Sequence, residues 1–150
     1  YVSTTGMTSA VIGSVTEATT TPETLAGLAA ETGANLRVVE LFALLHDSCR
    51  ENENADPLHG HRAAAFARDL RGRWFDATDA EMDLLTLACE LDSDGYIEAD
   101  VTVQTCWDAD RLDLGRVGIT PDPARLSTST AKDIAMMTKA TSNSSSEKPR

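Results

Sequence analysis

Start and stop signals for helices recur along the middle of this sequence, and they constrain the fold more than any other feature. Thr21-Pro22-Glu23 is typical of an N-cap followed by proline at the first helical position, and Gly33 is placed to end that helix. The next segment, 36–47, is apolar almost all round, which is typical of a buried central helix. Strand signals are almost absent, so the sequence predicts an all-α domain.

Four more helices are predicted from N-terminal signals or from apolar residues that recur every three or four positions. Thr78-Asp-Ala-Glu81 has the spacing of a capping box and opens one of them. The two ends lack a helical stripe: 1–21 is predicted to be irregular and 142–150 to be disordered. The predicted helical domain is therefore 22–141. The expected ranges of the four helices are 56 to 72, 78 to beyond 89, 101 to 114 and 127 to 141.

The composition limits the partners and the location. With 13 basic and 24 acidic side chains the chain carries a net charge of -11, which argues against nucleic-acid polymers and anionic membranes, because both need a basic face. The most apolar stretch, 38–45, is much shorter than the ~20 residues of a membrane span. The chain has three cysteines and no CxxC pair, a number that fits reduced thiols better than a disulfide framework. Its first residues lack the pattern of a secretory signal, so the sequence predicts a cytoplasmic protein. Nothing in the sequence indicates an oligomeric state.

The three histidines are concentrated in one part of the chain. His46, His59 and His61 lie within 16 residues of one another, and Asp47 directly follows the first. On the third predicted helix, His59 shares a face with apolar residues spaced three or four apart, so it is expected to point toward the core. His61 is out of phase with that face and is expected to be a surface residue.

Carboxylates near the ends of two predicted helices are further candidates. Asp92 lies in line with an apolar stripe, where a buried carboxylate needs a metal or a cationic partner; alternatively the helix ends near Leu91 and Asp92 is solvated. On the fifth helix Asp108 and Asp110 are two residues apart and point in different directions, so they cannot both be inward ligands from one regular helix. The apolar row on that helix favours Asp110.

Three blocks of sequence together resemble the HD-domain superfamily of metal-dependent phosphohydrolases. They are Leu41-Phe-Ala-Leu-Leu-His46-Asp47, Asp56-Pro-Leu-His59-Gly and Asp108-Ala-Asp110-Arg-Leu-Asp-Leu-Gly, and the resemblance covers about residues 23 to 133. It implies an all-α, HD-domain-like helical bundle, here of about five to six helices. In that family an early histidine, the His-Asp pair and a late aspartate hold a divalent metal.

The resemblance implies a set of metal ligands. His46, Asp47 and Asp110 match the family's ligands, and Asp92 and Asp108 are additional carboxylate candidates. A mixed imidazole and carboxylate shell suits a divalent transition metal such as Mn²⁺, Fe²⁺, Ni²⁺ or Zn²⁺ better than Ca²⁺, which takes oxygen ligands.

The resemblance also implies a reaction, the hydrolysis of a small phosphate ester such as a nucleotide. His59 resembles the histidine that lines the substrate phosphate or a second metal. Asp47 is expected either to bind the metal or to orient the attacking water. Arg111 is expected either to contact the substrate phosphate or to pair with Asp108.

Two positions depart from the family pattern. The early histidine is missing, because no histidine precedes His46 and the corresponding region, 10–15, reads Ala-Val-Ile-Gly-Ser-Val. Asp92 stands where many relatives carry a histidine. Two alternatives therefore remain open: a non-catalytic, degenerate HD-like module that binds a ligand or a partner, and a helical interaction domain in which the His-Asp pair only caps a helix.

Overall fold

The computed structural model describes residues 22–144 and confirms the all-α prediction over that range, in which it contains no strand. The α-helices of the described residues are α1 (Pro22–Thr32), α2 (Leu36–Leu45), α3 (His59–Leu70), α4 (Asp79–Leu91), α5 (Val101–Asp113) and α6 (Ser129–Ser144). Short 3-10 helices lie in the connections between them, at Asp92–Asp94, Leu114–Val117 and Pro123–Arg125.

Helix α2 is the centre of the bundle, as its apolar sequence predicts. It packs against α1, α4 and α5, while α3 packs mainly against α4. Trp107 of α5 is also buried, and its indole N–H donates to the carbonyl oxygen of Ala88 on α4 at 3.0 Å. The buried side chains of α2 are Val38, Val39, Leu41, Phe42 and Leu45.

Two predicted helix boundaries are confirmed in detail. Gly33 follows α1 with a φ of 77°, a left-handed conformation that glycine adopts without a steric penalty. The Thr78 side chain accepts a hydrogen bond from the Glu81 amide, and the Glu81 carboxylate accepts one from the Thr78 amide. Both bonds of the capping box are therefore present at the start of α4.

Two other boundaries differ from the prediction by two or three residues. Helix α2 ends at Leu45 rather than at 47, because both the amide and the hydroxyl of Ser48 donate to the Leu45 carbonyl oxygen and tighten the chain into a turn. Helix α3 begins at His59 rather than at Asp56, whose carbonyl oxygen accepts from the His59 amide. As a result, His46 and Asp47 lie in a turn rather than within a helix.

The last helix is displaced toward the C-terminus relative to its prediction. It begins at Ser129 because the Thr128 hydroxyl accepts a hydrogen bond from the amide of Ala131. It continues to Ser144, three residues into the tail that was expected to be disordered. The remaining tail, 145–150, and the N-terminal segment, 1–21, which includes the predicted N-cap Thr21 and the region 10–15, lie outside the described residues.

Helices α3 and α4 approach each other most closely at Gly60. A methyl group at this position would overlap the backbone carbonyl oxygen of Cys89, so only glycine allows the two helices to come this close. This contact sets His59 beside the C-terminal end of α4, where the chain turns at Asp92.

The sequence predicts neither a membrane span nor a disulfide framework. Within 22–144, no helix has the length and apolar character needed to cross a bilayer. The three cysteines are free thiols, with Cys89 and Cys106 buried and Cys49 partly buried. Burial raises the pKa of the Cys89 and Cys106 thiols, so both are poor nucleophiles.

Candidate metal centre

Three side chains from three parts of the bundle converge at one point. His46 follows α2, Asp92 follows α4, and Asp110 lies in the last turn of α5. The imidazole nitrogen of His46 and one carboxylate oxygen of each aspartate lie within 4.8 Å of one another, and all three residues are partly buried. A site with three protein ligands leaves further coordination positions of an ion for water or substrate.

His46 is oriented as a metal ligand would be. Its Nδ1–H donates to the carbonyl oxygen of Phe42 at 2.9 Å, and its ring stacks on the Phe42 ring at 4.6 Å between centroids. Histidines that bind metals usually donate their other ring N–H to such a carbonyl or carboxylate, which fixes the ring. The remaining nitrogen, Nε2, then faces Asp110 at 3.1 Å from Oδ1.

The surroundings of His46 favour a protonated imidazole beside an ionised Asp110. Burial lowers the pKa of His46, but the hydrogen bond and charge of Asp110 outweigh it and raise the pKa to about 9. For Asp110, burial is outweighed by the hydrogen bond from His46, so its pKa is lowered. Burial, assisted by the charge of Asp110, raises the pKa of Asp92 to about 7.

These shifts predict how the stability of the metal-free protein depends on pH. Because the folded-state pKa of His46 is raised from 6.5 to about 9, its contribution is complete below pH 6.5 and is lost as the pH rises to 9. At about 1.4 kcal/mol per pKa unit, the free energy of unfolding should fall by about 3 kcal/mol over this range. Chemical unfolding at several pH values in a chelating buffer measures this change.

A His46→Gln variant is the control for that measurement, because it keeps a polar side chain without a titrating imidazole. Its free energy of unfolding should fall by clearly less than that of the wild-type chain between pH 6.5 and pH 9, and the fall that remains comes from Asp92, whose raised pKa of about 7 also lies in this range. A wild-type stability that is constant or rises over this range would contradict the assignment of a protonated His46.

Asp47 lies at the rim of the cluster rather than within it. Its side chain is 49% exposed, and Oδ2 is 3.6 Å from Nε2 of His46. Oδ1 accepts hydrogen bonds from Nε and Nη2 of Arg50, at 3.0 and 2.8 Å, and lies 3.4 Å from Nε2 of His59. Sequence reasoning missed Arg50, because a spacing of three residues indicates an ion pair only within a helix, and both Asp47 and Arg50 lie outside one.

The two histidines of α3 face in the directions predicted from helical phase. His59 is buried, its Nδ1–H donates to the Asp56 carbonyl oxygen at 2.6 Å, and its Nε2 accepts from Nη2 of Arg50 at 3.1 Å. His61 is exposed. His59 thus contacts Arg50 and Asp47, which lie at the rim of the cluster.

Asp92 combines features of both alternatives drawn from the sequence. Helix α4 ends at Leu91, as the solvated alternative required. The chain then makes a 3-10 turn that closes at Gly95 with a φ of 76°, and this turn keeps the Asp92 carboxylate in the cluster. The end of the helix therefore places Asp92 next to His46 and Asp110 instead of in solvent.

The assignment of Asp108 as a candidate ligand is corrected by its contacts. Its side chain is completely buried, and its Oδ1 accepts from the Ser127 amide at 2.7 Å. Its Oδ2 accepts from the amide and the hydroxyl of Thr128, at 2.8 and 2.7 Å. Asp108 therefore fixes the segment that leads into α6, and Asp110 alone of the two carboxylates reaches the cluster.

Arg111 pairs with backbone oxygens and not with Asp108. Its Nη1 donates to the carbonyl of Arg125 at 2.8 Å, and its Nη2 donates to the carbonyl of Tyr96 at 2.7 Å. The guanidinium also lies over the Trp107 ring, 5.8 Å from the centroid. Its predicted contact with a substrate phosphate stays a prediction.

Comparison of the chain with protein-family models, with curated proteins and with solved structures yields no match. The resemblance to HD-domain phosphohydrolases accordingly depends on the three sequence blocks. In the fold, the first and third blocks meet at the contact between His46 and Asp110. The second block joins them where His59 approaches Asp47.

Proposed function

We propose that this chain is a metal-dependent phosphohydrolase of the HD-domain type that acts on a small phosphate ester. One observation carries the proposal, the convergence of His46 Nε2 with carboxylate oxygens of Asp92 and Asp110 within 4.8 Å. The bond from His46 Nδ1–H to the Phe42 carbonyl supports it, because that bond leaves Nε2 to face the cluster.

The donor set indicates which ion to test first. One imidazole and two carboxylates form an oxygen-rich set, which suits Mn²⁺ among the divalent transition metals predicted from the sequence. A divalent ion bound there would polarise a phosphoryl oxygen and lower the pKa of a bound water. His46 must release its Nε2 proton when the ion binds, so the affinity for metal should increase with pH.

Residues at the rim have the chemistry for the remaining tasks. The Asp47 carboxylate is half exposed and 3.6 Å from His46 Nε2, so we assign it the orientation of the attacking water. Nε2 of His59 lies 3.4 Å from Asp47 Oδ1, and the ring is held by the Asp56 carbonyl. We assign His59 to the side of the site that receives the phosphate group.

Hydrolysis of an aryl phosphate and of nucleoside monophosphates should depend on added Mn²⁺. His59→Ala should lower the rate at saturating Mn²⁺ by about 10- to 100-fold, the effect typical of residues that support a metal site. The exposed His61 offers a matched control on the same helix, and His61→Ala should leave the rate unchanged. A Mn²⁺ titration of initial rates for the three proteins provides the measurement.

The outcomes separate the candidate functions. Mn²⁺ binding without hydrolysis of either ester at any concentration would favour the non-catalytic HD-like module. No binding of Mn²⁺, Fe²⁺, Ni²⁺ or Zn²⁺ would favour a helical interaction domain. Equal effects of His59→Ala and His61→Ala would contradict the role assigned to His59.

A further inference from the structure

We infer that Arg50 binds the phosphate group of the substrate, as a fixed guanidinium beside the metal centre. The inference rests on the proposed function and adds to it a residue that lies between the first two sequence blocks. It also defines the ligand chemistry more narrowly, as a phosphate group with several free oxygens that can accept from both a metal and a guanidinium.

The guanidinium of Arg50 is held in place by two partners. Its Nε and Nη2 both donate to Asp47 Oδ1, at 3.0 and 2.8 Å. Nη2 also donates to Nε2 of His59 at 3.1 Å, and His59 is itself buried and tied to the Asp56 carbonyl. A cation whose plane is fixed in advance loses less conformational entropy when an anion binds.

Arg50 is also close to the ligand atoms of the metal centre. A single carboxylate separates them, because Asp47 contacts Arg50 through Oδ1 and lies 3.6 Å from His46 Nε2 through Oδ2. A phosphate group bound to an ion in the cluster would therefore lie within reach of the guanidinium.

Arg50 has donors that its present partners do not use. Among residues 22–144 its Nη1 group donates to no acceptor, and 27% of the side chain is exposed. Arg111, the other arginine near the cluster, uses both terminal nitrogens for backbone carbonyls. The two N–H groups of Nη1 are therefore available to donate to phosphate oxygens, and bonds from a guanidinium to phosphate are strengthened by charge.

A purely structural role makes a different prediction. If Arg50 only tethered Asp47 to His59, its removal would loosen the site and weaken the binding of both metal and phosphate. If Arg50 binds phosphate, its removal weakens the binding of phosphate alone. The affinity for Mn²⁺ would then be unchanged or higher, because a positive charge near the ion is gone.

Isothermal titration calorimetry with inorganic phosphate tests the inference on the Mn²⁺-loaded chain. Arg50→Ala should raise the phosphate Kd by about 10- to 100-fold, as expected for the loss of charge-assisted hydrogen bonds, and should not weaken Mn²⁺ binding. Arg50→Lys should have an intermediate effect, because it keeps the charge without the planar fork. It also preserves the test if the alanine variant does not fold.

Arg68→Ala is the matched control. Arg68 pairs with Glu90 on the surface, nine residues along α3 from His59 and thus roughly 13 Å away along the helix axis. Its loss should change neither Kd. A phosphate Kd that is unchanged in Arg50→Ala and Arg50→Lys, or a parallel loss of Mn²⁺ and phosphate affinity, would overturn the inference alone. A wild-type chain that binds no Mn²⁺ would overturn the proposed function as well.

Discussion

The His46→Ala variant is expected to bind Mn²⁺ at least about 100-fold more weakly than the wild-type chain. His46 supplies the single imidazole of the cluster, and its loss leaves two carboxylates that repel each other. Changes to residues that only support metal ligands typically cost 10- to 100-fold in affinity, so removing a ligand should cost at least as much. Metal content after dialysis and calorimetric titration with Mn²⁺ measure the difference.

The same variant should lose the stabilisation that metal confers. At a free Mn²⁺ concentration of 100 times the wild-type Kd, the ion should stabilise the wild-type fold by about 2.7 kcal/mol, whereas it should stabilise His46→Ala by about 0.4 kcal/mol or less. The shift in Tm on adding Mn²⁺ reports this stabilisation directly. His61→Ala, with its exposed imidazole, should retain the full shift.

A second variant guards against a loss of folding in His46→Ala. The His46 ring stacks on Phe42 and bonds to Asp110, so alanine also removes packing. Asp110→Asn keeps the size of the side chain and removes the charge that an ion requires. Wild-type affinity for Mn²⁺ in both His46→Ala and Asp110→Asn would show that the cluster does not hold the ion.

The helical architecture could be predicted because its signals are local. The capping box at Thr78 and the turn at Gly33 depend on residues within a few positions of each other, and both are present in the fold. The boundaries that were missed depend on side chains that bond to backbone groups in the adjoining turns. The Ser48 hydroxyl donates to the Leu45 carbonyl oxygen and the His59 ring donates to the Asp56 carbonyl oxygen, and these two helix ends lie two or three residues from their predicted positions.

The candidate site was predictable only where helical phase applies. His59 and Asp110 lie on regular helices, and both face the direction predicted from the periodicity of their neighbours. Arg50 lies in an irregular connection, where no periodicity indicates direction. Asp92 lies just beyond the end of α4, where helical phase left open whether it is buried or solvated, and the 3-10 turn Asp92–Asp94 keeps its carboxylate in the cluster.

Asp108 shows a different limit of the sequence argument. Helical phase correctly indicates that Asp108 and Asp110 face different directions. It does not indicate which element Asp108 meets, because its partners are nineteen and twenty residues further along the chain. A buried carboxylate that needs a partner can therefore be satisfied by backbone amides as well as by a metal.

Asp108→Ala should cause the largest loss of stability among the variants considered. The fully buried carboxylate accepts three hydrogen bonds, from the Ser127 amide and from the amide and hydroxyl of Thr128. Alanine would leave these donors without their acceptor and create a cavity. The expected cost is about 3 to 5 kcal/mol, since bonds to charged groups contribute about 1.5 to 3 kcal/mol each and are not additive. Chemical unfolding followed by circular dichroism measures this loss.

Asp108→Asn separates the structural role of this residue from a role in metal binding. The amide keeps one acceptor oxygen of similar position, so this variant should lose less stability than Asp108→Ala and should remain folded. Its affinity for Mn²⁺ should equal that of the wild-type chain, because Asp108 contributes no atom to the cluster of His46, Asp92 and Asp110.

Asp133→Ala is the control for stability, because it removes an exposed aspartate from α6. It should change the free energy of unfolding by no more than about 0.5 kcal/mol. A folded Asp108→Asn protein that no longer binds Mn²⁺ would return Asp108 to the set of ligands. A loss of less than about 1 kcal/mol in the free energy of unfolding of Asp108→Ala would contradict the anchoring of α6 by this residue.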